Sequence, residues 1–159
     1  MFASMQTAAA QDTNSFSVGS YLMAPGQKNI ILSNSGKFET EFLLYLNHRD
    51  AIKQMMCSSL LLLIIPGHFS NKGIMTGKLF EYLASGKPVL CIGPTDGDAA
   101  GILEATSHGK CAAYGDTEKI FHIIADYYKS GAGSFKEAPG EYSRPELTKR
   151  LVTLLKQLK

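Results

Sequence analysis

The sequence lacks the features that mark membrane-spanning and exported proteins. Its longest apolar run, residues 60–66, is far shorter than the ~20 residues that a membrane-spanning helix needs. No Lys or Arg precedes Lys28, so the beginning of the chain lacks the positively charged region of a signal or transit peptide. These absences predict a cytoplasmic protein without a membrane span.

Net charge and cysteine content are also low. With 16 Lys and Arg against 14 Asp and Glu, the net charge of +2 is too small to predict a nucleic-acid partner. Cys57, Cys91 and Cys111 are odd in number, widely spaced and each within or beside an apolar stretch, so they are interpreted as reduced core thiols. The four histidines lack the spacing of metal ligands, so neither a metal site nor a cofactor is expected. His108 and His122 carry no functional signal.

What is present is the composition of one ordinary globular domain, with 45% hydrophobic and 19% charged residues. A chain of 159 residues buries about 70% of its unfolded surface on folding. The order of segments predicts an α/β fold, a Rossmann-like, doubly wound, mainly parallel sheet flanked by helices, with ligands beyond the carboxyl ends of the strands. Strand-like segments at 40–46, 60–65, 89–92 and 110–114 alternate with helix-like segments at 48–56, 97–106, 117–128 and 145–158 and with a capped helix before Gly86.

The beginning of the chain carries no motif. Residues 1–37 are interpreted as a poorly defined N-terminal segment with a short helix at 2–10, and residues 38–159 as the folded domain with a closing C-terminal helix. The strand at 40–46 is largely apolar, which is typical of a strand buried on both faces of a parallel sheet.

The stretch from Asn71 to Pro94 reads as a glycine-bearing loop, a helix and a buried strand. Thr76 is expected to cap the helix with its hydroxyl, and Gly73 and Gly77 allow the backbone to approach a ligand closely. Lys78 lies in the first turn, where the helix dipole disfavours a cation unless an anion such as phosphate lies there too.

The same helix has an apolar face predicted from Leu79, Phe80, Leu83 and Ala84. Glu81 stands at the edge of its wet face, where a carboxylate can accept hydrogen bonds from two neighbouring ribose hydroxyls. As an i, i+3 pair, Lys78 and Glu81 are also compatible with ordinary solvated charges on a helix surface.

The run TGKLFEYLASGKPVL, residues 76–90, resembles the signature of the C-terminal, donor-binding domain of GT-B type glycosyltransferases. The likeness is closest to glycosyltransferase family 4 in its bacterial polysaccharide branch. The segment FLLYLNHRDAIKQMMCSSLLLLIIP resembles the strand, turn, helix and strand ahead of that signature, and YSRPELTKRLVTLLKQL resembles the closing helix. The resemblance covers residues 38–159, so the chain is expected to be the C-terminal half of a GT-B fold.

The resemblance implies a binding site for a nucleoside-diphosphate sugar. Glu81 corresponds to the glutamate that holds the ribose hydroxyls, and Thr76, Gly77 and Lys78 correspond to the diphosphate contacts. His48 resembles a position near the nucleotide base, although a histidine in a first helical turn is also a common surface residue.

Two further positions bear on the sugar. Many members of the family carry a second glutamate where this chain has Gly73, so the identity of the donor sugar is not predicted. Thr95 follows the strand at 89–92, where contact with the sugar and a simple turn are both compatible with the sequence.

Asp96, Gly97 and Asp98 have the D-x-D form of a metal site, but Asp-Gly beside a helix start is interpreted as a turn and cap.

The resemblance also implies the partners. The acceptor, a glycan or a lipid-linked molecule, and any catalytic residue are expected to belong to an N-terminal Rossmann-like domain that this sequence does not contain, so the chain alone is expected to be inactive. Residues 1–37 are either a shortened remnant of the first strand and helix, or the chain is a piece of a longer protein that lies at the inner face of the membrane. The alternative function is a non-catalytic, Rossmann-like nucleotide-binding or interaction module.

Overall fold

Six strands form one sheet in the computed structural model, which describes residues 2–6, 17–21, 39–43, 46–131 and 139–158. The strands are β1 Phe2–Gln6, β2 Ser17–Tyr21, β3 Glu39–Leu43, β4 Leu60–Ile64, β5 Val89–Ile92 and β6 Gly109–Ala112. The helices are α1 His48–Cys57, α2 Gly77–Ser85, α3 Asp98–Ala105, α4 Thr117–Lys129 and α5 Arg144–Gln157, and a 3-10 turn spans Gly140–Tyr142.

The strand order is β3-β1-β2-β4-β5-β6. Strands β2, β4, β5 and β6 are parallel to one another, whereas β1 runs antiparallel to both of its neighbours, β2 and β3. The α/β fold with a mainly parallel sheet is therefore confirmed for four strands. This architecture is compatible with a Rossmann-like fold.

Two predictions about the first third of the chain are wrong. Residues 2–6 form a strand, not the beginning of a helix, and β3 pairs antiparallel with β1 at one end of the strand order. Pairing with distant strands decides both outcomes, and such non-local contacts override the local helix propensity of an alanine-rich segment. The rest of the predicted short helix, residues 7–10, lies outside the described residues.

Alternation of side chains along β4 and β5 separates two apolar layers. Leu61, Leu63, Val89 and Cys91 face the layer covered by α1, α2 and α3. The opposite layer joins Leu60, Leu90 and Ala112 to Ile123 of α4. Helices thus cover both faces of the parallel strands, and each crossover between β4, β5 and β6 passes over the same face.

Two smaller expectations also fail. In α2 the buried set is Leu79, Tyr82, Leu83 and Ser85, whereas Ala84 is exposed, because the inward face follows i, i+3 and i+4 spacing from Leu79. Cys57 at the end of α1 is exposed, so it is not a core thiol. No described helix has the length and apolar character needed to cross a membrane.

Candidate functional site at the start of α2

The loops that follow β4, β5 and β6 meet at the carboxyl-terminal edge of the parallel strands, where α2 begins. Thr76 occupies the position before the helix with extended backbone angles, φ −89° and ψ 151°. The apolar residues Leu79 and Leu83 anchor α2 against the sheet, so the first turn is held at this edge. Gly86, with φ 69°, ends the helix in the predicted left-handed conformation.

The Thr76 hydroxyl does not cap the helix as predicted. Thr76 makes no side-chain hydrogen bond to the first turn, and its Oγ1 atom is buried without a partner among the described residues. Its carbonyl instead accepts a 3.1 Å hydrogen bond from the amide of Leu79. A buried hydroxyl with no partner is unfavourable, so Oγ1 is available to a ligand at the helix start.

The predicted glycines face open space. Among the described residues, a methyl group added at Gly77 would meet nothing within 4 Å, and one added at Gly73 would meet only a carboxylate oxygen of Asp98, at 3.9 Å. Neither glycine is therefore required by protein packing. The open surface above them is compatible with the close approach of a ligand to the backbone.

Lys78 and Glu81 lie one turn apart on α2. Burial lowers the pKa of Lys78, while the negative charge of Glu81 acts in the opposite direction. Glu81 is exposed and Lys78 is half-buried. The first turn therefore combines the amides of a helix start, a partly desolvated cation and an exposed carboxylate, which is a favourable setting for an anion followed by vicinal hydroxyls.

The loop before α2 is fastened to the loop before α3. The Lys72 carbonyl accepts a 2.8 Å hydrogen bond from the amide of Asp98, and the Lys72 ammonium pairs with the Asp96 carboxylate. The Lys72 backbone also packs so closely on Gly97 that an added methyl group there would lie 2.9 Å from the Lys72 oxygen. The D-x-D segment is thus used in loop contacts, and the Lys72 hydrogen bond lowers the pKa of Asp96.

Asn71 and Tyr114 position the same loop and were not recognised from the sequence. The Tyr114 hydroxyl donates a 2.7 Å hydrogen bond to the Ile65 carbonyl, and the Asn71 amide nitrogen donates to the Tyr114 oxygen at 2.9 Å. The Asn71 nitrogen also lies 3.2 Å from the Pro66 carbonyl, which accepts from it. A tyrosine directly after a strand that leads into the site was the only available signal.

Thr95 and His48 are the remaining predicted site residues. Thr95 is exposed in the loop between β5 and α3, beside the Asp96 contact. His48 begins α1 after β3, which is separated from β4 by two strands. Within the described part of the chain His48 is exposed and no hydrogen bond or ion pair links it to α2.

Comparisons of the chain with protein-family models, with curated proteins and with solved structures found no significant match. The resemblance to glycosyltransferases therefore rests on the motif at residues 76–90 and on the chemistry of the helix start.

Proposed function

We propose that the chain is the donor-binding part of a glycosyltransferase that uses a nucleoside-diphosphate sugar in glycan or polysaccharide synthesis. The observation that carries the proposal is the start of α2, where the Thr76 hydroxyl has no partner among the described residues and Gly73 and Gly77 leave the surface open. The α/β architecture supports it, since ligands of such sheets bind outside the carboxyl ends of the strands.

In this proposal the diphosphate accepts hydrogen bonds from the first-turn amides, from the Thr76 hydroxyl and from the Lys78 ammonium. The ribose hydroxyls donate to Glu81 one turn later. Fixed donors at the helix start would stabilise the negative charge that develops on the departing diphosphate, which is electrostatic preorganisation. The acceptor and any general base belong to a further Rossmann-like domain, so this chain alone binds the nucleotide and transfers no sugar.

Calorimetric titration with the glucose conjugates of UDP, GDP and dTDP, in buffer that contains EDTA, tests the proposal. We expect weak, saturable binding of one of them, because only one wall of a two-domain cleft is present. EDTA should not matter, since Asp96 is already held by Lys72 and the diphosphate is neutralised at the helix start. The proposed site would be contradicted if none of the three nucleotide sugars binds. Binding that requires magnesium or manganese would also contradict it.

The alternative, a nucleotide-binding module without transfer activity, shares the same site. Turnover of the preferred nucleotide sugar by the product of the full reading frame separates the two functions, because a module would bind the nucleotide and leave it intact.

A further inference from the structure

A cavity of about 460 Å³ lies at the opposite edge of the sheet, where β4, β5 and β6 begin. Strands of four or five residues place the two edges roughly 15 Å apart, so the cavity is separate from the start of α2. Its volume is in the range of sites for small organic molecules. The described residues that line it include Ser59, Lys87, Glu104, His108 and Tyr127.

Buried polar side chains are concentrated at this edge. Ser58, Ser59, Ser85, Lys87 and His108 are the buried polar residues of the described chain, and each precedes β4, β5 or β6. The hydroxyls of Ser58 and Ser85 donate to helix-end carbonyls, at 3.0 Å to Gln54 and 2.6 Å to Tyr82. Hydrogen bonds to helix ends therefore account for the burial of these two serine hydroxyls. Ser59, Lys87 and His108, in contrast, line the cavity.

His108 presents an unused polar atom. The side chain is only 5% exposed, and its Nδ1 lies 2.8 Å from the Thr106 carbonyl. A carbonyl only accepts, so Nδ1 carries the hydrogen and Nε2 of the neutral ring is an acceptor. Nε2 is buried and has no partner among the described residues. Such an atom calls for a hydrogen-bond donor beyond the described residues.

The charges of the lining favour an anion. Lys87 is 6% exposed, whereas Glu104 is exposed to solvent, so the field of the cation in the cavity is less screened than that of the carboxylate. Lys110 is paired with Asp126 at 3.2 Å and contributes little net charge. The hydroxyls of Ser59 and Tyr127 add neutral polar groups.

We propose that this cavity binds a small hydroxylated anion of the size of a monosaccharide phosphate. One ligand hydroxyl donates to Nε2 of His108, a second donates to the Glu104 carboxylate, and the anionic group lies against Lys87. The site uses no residue of the proposed nucleotide site.

NMR titration of the whole chain tests this inference with glucose 6-phosphate, glucose 1-phosphate, glucose and inorganic phosphate as probes. We expect saturable shifts at residues 86–88 and 107–110 and a shift of the His108 Nε2 nitrogen, with a dissociation constant below about 10 mM for at least one sugar phosphate. Glucose and inorganic phosphate should each bind at least about tenfold more weakly, because each lacks half of the recognised groups.

Two substitutions and a matched control complete the experiment. Lys87→Met and His108→Asn should each weaken binding of the sugar phosphate by about tenfold or more. Lys53→Met, which removes an exposed lysine charge on α1 outside the cavity lining, should leave it unchanged. If a variant fails to fold, the His108 Nε2 signal of the unmodified chain still decides.

The inference is overturned if neither sugar phosphate shifts the His108 signal up to about 10 mM. It is also overturned if inorganic phosphate or glucose binds as tightly as the sugar phosphates, or if folded Lys87 and His108 variants bind like the unmodified chain.

Discussion

The amide of Asp98 donates a 2.8 Å hydrogen bond to the carbonyl of Lys72, which joins the first turn of α3 to the loop that precedes α2. The Lys72 side chain pairs with Asp96 in the loop that precedes α3, so one residue holds both connections through its backbone and its ammonium group. The open glycine surface at Gly73 and Gly77 is therefore built on a braced support. Bracing of this kind reduces the cost of ordering a loop when a ligand binds.

Gly97→Ala should loosen this support. The added methyl group would lie 2.9 Å from the Lys72 oxygen and 3.3 Å from its Cα, so one of the two loops must shift, at an expected cost of about 1–3 kcal/mol in the free energy of unfolding. The matched control is Gly101→Ala inside α3, where nothing lies within 4 Å and loss of a helical glycine should stabilise the protein by about 0.5–1 kcal/mol. Chemical denaturation measures both, and equal stabilities would contradict the close packing.

Thr76→Val should separate stability from binding. Removal of a buried hydroxyl that has no partner in the described part of the chain should raise the free energy of unfolding by about 1 kcal/mol, while loss of a phosphate contact should weaken nucleotide binding by about 1.5–3 kcal/mol. In the control Thr106→Val, the lost hydroxyl donates a 2.8 Å hydrogen bond to the Ile102 carbonyl, so stability should fall and nucleotide affinity should not change. A Thr76→Val variant with unchanged affinity would remove Thr76 from the site.

Glu81→Ala tests the ribose contact. Loss of two hydrogen bonds to a carboxylate should weaken nucleotide binding by ~1.5–3 kcal/mol without unfolding the chain, because Glu81 is exposed. Glu118→Ala on α4, also an exposed helical carboxylate, is the control and should bind like the unmodified chain. Calorimetry gives both affinities. Equal values would leave Glu81 as an ordinary surface charge.

Local sequence patterns predicted the strands and helices in the middle of the chain. They failed for strands that depend on pairing between distant segments. β4 and β5 and the left-handed Gly86 follow from apolar runs bounded by Pro and Gly. β1 and β3 depend on pairing across dozens of residues, which no local pattern encodes. At the site, the chemistry of the helix start was recognised, but the Lys72 bracing was not, since it joins two loops through backbone atoms.

The surroundings of His108 also could not be predicted from the local sequence. A lone histidine in a turn carries no sequence signal, and only the folded chain reveals that it is buried against a cavity with one ring nitrogen unused. The ends of three helices and the beginnings of three strands converge there, so the environment of His108 is assembled from segments far apart in sequence.

The Asp96 carboxyl should titrate at lower pH than an ordinary aspartate. The hydrogen bond from Lys72 holds the pKa of Asp96 below its usual value, so the contact stabilises the fold above the ordinary pKa and is lost as pH falls through the lower one. Lys72→Met should raise the pKa of Asp96. Carbon NMR of the carboxyl group follows the titration in both proteins, and coincident curves would show that the pair does not form in solution.

The leucine row of α5 should mediate association. Leu147, Leu151, Leu154, Leu155 and Leu158 are between 44% and 83% exposed. Positions 147, 151, 154 and 158 follow the spacing of four and three residues that is typical of helix pairing. An apolar stripe of this length favours burial against a partner. We expect the chain to self-associate through α5.

Replacement of Leu151 and Leu155 by Gln should therefore lower the sedimentation coefficient at high protein concentration to that of a monomer. Stability should change by no more than about 0.5 kcal/mol, because neither side chain is buried within the chain. Lys149→Gln alters the polar side of the same helix, where its ammonium lies 3.3 Å from Glu146, and should leave association intact. An unmodified chain that sediments as a monomer at every concentration would show that the exposed row does not pair with a second copy.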